Sequence, residues 1–156
     1  MYAFHNRGGY KGLIEPPADY AQWQSLIHAL SKHLLDRHGI ETLRQWRFEV
    51  WNEPNWWIGH VRYPQEYVPL YNASAIAIKA THAELRVGGP ATATLEYIED
   101  FATRATWTGT RPRMPVDFVS SHFYPSEKNC SDASQPLGRD PDCFVRSVRR
   151  ARARVA

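Results

Sequence analysis

The sequence lacks a long apolar segment. No run approaches the roughly 18 residues that a membrane-spanning helix needs. The first residues, MYAFHNRGGY, also lack the order of charged, apolar and small residues that marks a signal peptide. We therefore predict a soluble protein with no transmembrane segment and no membrane partner. Its localisation is not determined by these features.

Cysteine is scarce, because the chain has only Cys130 and Cys143. Both lie in or beside one polar loop. They could form a loop-closing disulfide in an exported protein, or they could remain two free thiols. Neither cysteine has nearby residues at the spacing of zinc ligands. We predict no metal site and no cofactor.

Nucleotide and nucleic-acid motifs are missing as well. No Gly-x-Gly-x-x-Gly follows a predicted strand, so a dinucleotide-binding domain has no support. The net charge is +3, but no nucleic-acid motif accompanies the excess of arginine. The arginines cluster on one predicted helix, where a solvated helix face explains them and no nucleic-acid partner is expected. They are Arg146, Arg149, Arg150, Arg152 and Arg154.

Helical and strand patterns alternate along the chain. Apolar residues recur at helical spacing in four segments, and three short apolar runs lie between them. Such alternation indicates parallel strands joined by helices, in either a barrel or a doubly wound sheet. The predicted helices span 18–38, 64–84, 95–107 and 140–156, and the predicted strands span 47–51, 85–88 and 116–121.

The most informative run is WRFEVWNEPN, residues 46–55. A short strand ends at Asn52, Glu53 and Pro54, and proline is not compatible with a central strand. The run therefore delivers a carboxylate to the C-terminal end of a strand. In a barrel of alternating strands and helices, catalytic residues lie at that end. The six tryptophans of the chain suit a sugar-stacking cleft, although a tryptophan-rich core would explain most of them.

At Asn52-Glu53-Pro54 the chain resembles the clan A glycoside hydrolases. Three further segments narrow the resemblance to family 39, which contains β-xylosidases and α-L-iduronidases. The four segments occur in the order of the family at plausible spacings. They are YKGLIEPP at 10–17, FEVWNEPN at 48–55, LRVGGP at 85–90 and VDFVSSHFY at 116–124.

The resemblance implies an α/β fold, a partial (β/α)8 TIM barrel with about strands four to six and their helices. A complete barrel takes about 250 residues, so residues 1–156 are expected to be an internal fragment of a single catalytic barrel domain without its true N-terminus. Open sheet edges in such a fragment favour self-association.

The family implies a retaining glycosidase, β-xylosidase-like, that binds a xyloside or related glycan. Glu53 would be the general acid/base. Asn52 would bind the sugar 2-hydroxyl, and His122 and Tyr124 would contact substrate. Trp56 and Trp57 are candidates for stacking on the leaving group. Ordinary structural roles remain open: Asn52 in a turn, the His122 and Tyr124 pair in packing, and the two tryptophans in the core.

Two features narrow the function further. In the iduronidase branch a lysine stands at the position of Tyr124, so its absence favours a neutral sugar over a uronic acid. The family nucleophile is a glutamate at the end of strand seven, and no glutamate follows Glu127 in this chain. We therefore expect the chain alone to be inactive. The alternatives are a catalytically inactive carbohydrate-binding remnant and another clan A glycosidase.

Overall fold

A computed structural model describes residues 15–55, 61–106, 113–124 and 142–155. Within these ranges, helices alternate with three short strands. The helices are α1 (Tyr20–His38), α2 (Ile40–Leu43), α3 (Tyr67–Thr81), α4 (Ile98–Thr106) and α5 (Cys143–Val155), and the strands are β1 (Arg47–Glu49), β2 (Arg86–Thr92) and β3 (Phe118–Ser121).

The three strands form one parallel sheet in the order β1-β2-β3. Strand β2 is central and is the longest. Because α3 links β1 to β2 and α4 links β2 to β3, each parallel pair is joined through a helix, as the alternation predicted. All three strands therefore end at the same edge of the sheet. This edge carries the residues that follow Glu49, Thr92 and Ser121.

Helix α1 begins and ends at residues suited to those positions. The Asp19 carboxylate accepts hydrogen bonds from the amides of Ala21 and Gln22 at 2.8 and 3.1 Å, which caps the free N–H groups of the first turn. Gly39 follows the last turn with φ of 73°, a left-handed conformation that glycine adopts without steric cost. The helix packs on α3, where the Trp23 indole donates to Ser74 Oγ at 2.8 Å.

The core lies between one face of the sheet and α3. Phe48, Val87 and Val119, one from each strand, belong to this apolar cluster. The opposite face of the sheet carries Glu49 and Phe118, since side chains alternate along a strand. The fully buried side chains include Leu43, Val61, Tyr67, Leu70, Tyr71, Leu85 and Phe101.

Several predicted boundaries were wrong: β1, for example, ends at Glu49 instead of Trp51, and the short helix α2 was not predicted. Two of the differences have a local explanation. Strand β2 was expected to end before Gly89-Pro90, but it continues to Thr92. A register irregularity between Pro90 and Thr92 accommodates the missing proline N–H. The helix expected from Pro64 begins at Tyr67, because Glu66 instead binds the Arg62 amide at 3.0 Å and closes a turn before the helix.

Three further observations concern the rest of the chain. In the described ranges no helix is both long and apolar enough to cross a membrane. Cys143 is disulfide-bonded, and Cys130 lies outside the described residues. Arg154 of α5 donates to the Leu95 carbonyl at 3.0 Å, so at least one arginine of this helix has a structural contact.

Candidate active site at the ends of the strands

Glu53 lies in a tight turn directly after β1. Trp51 and Glu53 both have positive φ, 69° and 47°. Residues with side chains rarely adopt this conformation, and each such residue costs on the order of 1–3 kcal/mol. The Glu53 amide donates to the Ala91 carbonyl at 2.9 Å, which ties the turn to the end of β2. Ala91 is itself strained, with φ of 52°. Backbone strain therefore concentrates around this carboxylate.

Two side chains from the end of β3 contact Glu53. His122 Nδ1 lies 2.7 Å from Glu53 Oε1, and the Tyr124 hydroxyl donates to the same oxygen at 3.3 Å. The His122 and Glu53 side chains are 28% and 16% exposed, so the contact is partly shielded from solvent. The negative charge of Glu53, followed by desolvation, raises the pKa of Tyr124. The phenol therefore stays protonated and remains a hydrogen-bond donor at neutral pH.

The contacts leave one carboxylate oxygen of Glu53 available. Oε1 receives both side-chain contacts, whereas Oε2 has no partner among the residues that the structure describes. A protonated carboxyl group in this arrangement could present Oε2–H to an oxygen atom entering from solvent. The arrangement can therefore orient a proton donor, and after proton loss it can act as a base.

The remaining residues predicted for the site are Asn52, Trp56 and Trp57. Asn52 is exposed in the turn beside Glu53, at the edge where His122 and Tyr124 end their strand. Trp56 and Trp57 lie outside the described residues. Trp51 packs against the main apolar cluster and supplies part of the apolar surroundings of the turn.

Sequence reasoning missed Asn55, the second asparagine of the motif. Its Oδ1 accepts from the Ala93 amide at 2.8 Å, and its Nδ2 donates to Glu96 at 2.9 Å. Asn55 therefore fastens the far end of the Glu53 turn to the segment after β2. The signal available in the sequence was an asparagine after a proline, which is common in turns and gave no indication of this contact.

An open groove of about 690 Å³ lies at the opposite end of the strands. Its lining includes Arg47 and Arg86, the first residues of β1 and β2, with Lys79 from the end of α3. Lys79 pairs with Asp117 at 2.7 Å, so part of the basic charge is balanced. The groove is separated from Glu53 by the length of the strands and does not belong to the candidate site.

Comparison with known proteins agrees with the sequence resemblance. The family model of glycosyl hydrolases family 39 matches residues 4–138. A β-xylosidase from Caldicellulosiruptor saccharolyticus is 44% identical over 129 residues, which are 80% of this chain and 25% of that protein. The human α-L-iduronidase is 31% identical over 75 residues, covering 44% of this chain and 11% of that protein.

Solved structures show the same relationship. A monomeric β-xylosidase from Caulobacter crescentus CB15 superposes with a TM-score of 0.74 and 37% identity, covering 94% of this chain and 30% of that one. The chain spans about a quarter of the length of the curated β-xylosidases it matches. It therefore corresponds to part of a family 39 domain, and the family resemblance stated from the sequence is confirmed.

Proposed function

The chain belongs to glycosyl hydrolases family 39, and on that premise we propose that it is part of a retaining, β-xylosidase-like glycoside hydrolase with Glu53 as general acid/base. The observation that carries this proposal is the contact of 2.7 Å between Glu53 and His122 at the strand ends. This contact supports the proposal because it orients a partly buried carboxyl group at the strand ends, where the catalytic residues of such barrels lie. The substrate class is carbohydrate.

The proposed chemistry needs Glu53 in two protonation states. As an acid it protonates the leaving oxygen of the glycoside, and as a base it then removes a proton from water. With Oε1 engaged by His122 and Tyr124, Oε2 is the atom that transfers the proton. A second carboxylate about 5–5.5 Å away forms the covalent intermediate in retaining enzymes. We propose that a strand outside this chain supplies it.

The proposed architecture is the portion of a (β/α)8 barrel with strands four to six, and residues 1–156 are a piece of that single domain. Three parallel strands joined through helices support it. So does the sheet face of Glu49 and Phe118, which lies opposite the helices and would face the barrel interior. Among the described residues β1 and β3 are the edge strands of the sheet, and self-association through these edges follows from the same geometry.

The proposed substrate is a β-xyloside or a related neutral glycan. The similarity to β-xylosidases covers 80% of this chain, whereas the similarity to human α-L-iduronidase covers 44%. Tyr124 at the site offers a neutral hydroxyl, where a cation would suit a sugar carboxylate. Asn52 would bind the sugar 2-hydroxyl, His122 and Tyr124 would line the sugar site, and Trp56 and Trp57 would stack on the leaving group.

The proposal is tested by placing the full chain in the barrel of the Caulobacter crescentus β-xylosidase, in place of the segment it matches. We call this protein the chimeric barrel. Glu53→Gln should lower kcat/KM on xylobiose by about 10²–10⁴-fold, the usual contribution of acid/base catalysis. An activated aryl xyloside should lose less in its first step, because its leaving group needs little protonation. Added azide should restore turnover and give a xylosyl azide of retained configuration.

Glu84→Gln is the matched control. Glu84 is an exposed glutamate at the opposite end of the strands, with a side chain 58% exposed, and its loss should leave both substrates unaffected. Full xylobiose activity in Glu53→Gln, or equal losses in the two variants, would show that Glu53 is not the acid/base. A folded chimeric barrel with no activity on any xyloside would contradict the proposed activity itself.

The second candidate is a carbohydrate-binding remnant without catalysis. It is the alternative for the given chain acting by itself, because its residues after Glu127 include no glutamate and the family nucleophile is a glutamate. Calorimetric titration of the chain alone with xylobiose helps to distinguish the glycoside hydrolase from the carbohydrate-binding remnant. Binding by the chain together with an inactive chimeric barrel would favour the remnant.

A further inference from the structure

The hydroxyl of Tyr67 is buried beneath the turn that carries Glu53. Tyr67 is fully buried in the first turn of α3, and its hydroxyl donates to the Val50 carbonyl at 3.0 Å. Val50 directly follows β1 and continues its pairing with β2, because its amide donates to the Gly88 carbonyl at 3.1 Å. The next residue, Trp51, has φ of 69° and leaves the sheet. Tyr67 therefore holds the residue at which the turn begins.

Gly89 leaves room for this hydroxyl because it has no side chain. A Cβ atom on Gly89 would overlap the Tyr67 hydroxyl, whereas its contacts with the rings of Phe101 and Tyr67 would be ordinary, at 3.5 and 3.6 Å. The backbone of Gly89 is not in the left-handed region, so conformational freedom does not explain a glycine here. The absent side chain makes room for the oxygen atom.

The ring of Tyr67 is fixed by other aromatic rings. It stacks on Tyr63 at a centroid distance of 5.7 Å, and it lies 6.0 and 6.3 Å from the rings of Tyr71 and Phe101. Burial raises the pKa of Tyr67 far above its ordinary value, so the hydroxyl keeps its proton and remains a donor. Packing alone would be served by phenylalanine, and the hydroxyl therefore has a separate role.

The turn is consequently held at both ends. Tyr67 binds Val50 before Trp51, and Asn55 binds the Ala93 amide after Glu53. Between these anchors lie two residues with positive φ, a conformation that persists only where the surroundings enforce it. Release of one anchor should let the turn relax and should move the Glu53 carboxyl group.

We propose that Tyr67 is a positioning residue for Glu53, acting through its hydrogen bond to the Val50 carbonyl. The inference rests on the proposed function of Glu53. Tyr71 provides an internal comparison, since it is equally buried on the same helix. Its hydroxyl donates to the Pro115 carbonyl at 2.7 Å, before β3 begins and at the opposite end of the strands. The two tyrosines thus make the same kind of bond at different ends of the sheet.

The test compares Tyr67→Phe with Tyr71→Phe in the chimeric barrel. Hydrogen–deuterium exchange should show about tenfold faster exchange at the Glu53 amide in Tyr67→Phe, because a lost hydrogen bond to a buried carbonyl favours local opening. The Asp117 amide, which donates to Val87 O at 2.8 Å near Pro115, should be unchanged. Tyr71→Phe should give the reverse pattern.

Kinetics provide the second measurement. Tyr67→Phe should lower kcat on xylobiose about tenfold with little change in KM, and should spare the first step of an activated aryl xyloside. Tyr71→Phe should lower neither. If both variants lose xylobiose activity equally, or if Glu53 exchange is unchanged in Tyr67→Phe, the positioning role is refuted. The exchange result does not depend on catalysis, so it stands even if the proposed function fails.

A double variant tests whether lost packing or a failure to fold, instead of the lost hydrogen bond, explains the effect of Tyr67→Phe. Tyr67→Phe combined with Gly89→Ala fills the space left by the hydroxyl with a methyl group but does not restore the hydrogen bond. We expect this double variant to fold and to keep fast exchange at Glu53. Recovery of slow exchange and of xylobiose turnover would show that packing alone positions the turn, and would overturn the proposal.

Discussion

Gly89→Ala should destabilise the chimeric barrel by an amount that depends on residue 67. The new methyl group would overlap the Tyr67 hydroxyl, so the tyrosine ring must retreat. Overpacking of a core costs about 1–3 kcal/mol. Loss of the hydrogen bond leaves the buried Val50 carbonyl without its donor, at a cost of about 1–3 kcal/mol. The free energy of unfolding should therefore fall by about 2–6 kcal/mol.

The same substitution should be nearly harmless after Tyr67→Phe. Without the hydroxyl, the nearest contacts of the methyl group lie at 3.5 and 3.6 Å, which are ordinary van der Waals distances. Alanine also reduces the entropy of the unfolded chain, which stabilises by about 0.4–1 kcal/mol at an unstrained site. We expect a cost below about 1 kcal/mol in this background. The two substitutions should thus be coupled by at least about 1 kcal/mol.

Urea unfolding of the four proteins of this double-mutant cycle, followed by tryptophan fluorescence, measures the coupling. Gly39→Ala is the control for a glycine substitution that has no connection with Tyr67. Gly39 has φ of 73° and nothing within 4 Å of its added methyl group, so its cost comes from backbone strain alone and should not change in Tyr67→Phe. If the effects of Gly89→Ala and Tyr67→Phe on the free energy of unfolding add within about 0.5 kcal/mol, the explanation that Gly89 makes room for the Tyr67 hydroxyl is refuted.

Three further predictions follow from the same structure. Burial raises the pKa values of Tyr63, Tyr67 and Tyr71, so the three phenols should ionise in the unfolded chain before they ionise in the folded one. The free energy of unfolding should therefore be unaffected below about pH 10 and fall above it by up to about 1.4 kcal/mol per pH unit for each tyrosine. Unchanged urea midpoints between pH 9 and pH 10.5 would contradict this prediction. Tyr124→Lys in the chimeric barrel should raise the kcat/KM ratio of an aryl α-L-iduronide to an aryl β-xyloside, and an unchanged ratio would remove the specificity role of Tyr124. The chain made alone should elute as oligomers or aggregate in gel filtration and hydrolyse an aryl xyloside at background rates, whereas a monomer that melts cooperatively and loses its turnover in Glu53→Gln would refute both expectations.

Helix positions were largely predictable because periodicity and capping residues act locally. The helix predicted over 18–38 forms at Tyr20–His38, with Asp19 and Gly39 at its ends. Strand ends were harder to predict. Gly89-Pro90 predicts a break in an isolated segment, but β2 pairs with β3 through this stretch and continues to Thr92. Tertiary pairing there outweighed local preference.

The site was predictable at the level of strand ends. Parallel strands bring the residues after β1 and β3 to one edge of the sheet, and there Glu53 lies 2.7 Å from His122 and 3.3 Å from Tyr124. The anchors of the turn were not predictable in this way. Tyr67 reads as one apolar position of a helix, and its bond to a backbone carbonyl leaves no trace in the pattern. Gly89 reads as a turn residue, because the hydroxyl that fills its space comes from another element.

The position of Glu53 therefore depends on all three strands together. Its amide binds the end of β2, its carboxylate contacts the end of β3 through His122, and the His122 amide donates to the Thr92 carbonyl at 2.7 Å. Glu53 and His122 are thus each bonded to β2, from its two sides, and are also in contact with each other. A slip of one residue in the register of β3 would reverse the faces of its side chains and would carry His122 away from Glu53. The same hydrogen bonds that define the sheet register thus define where the carboxyl group stands, which is why the strained turn can hold its conformation at the edge of the sheet.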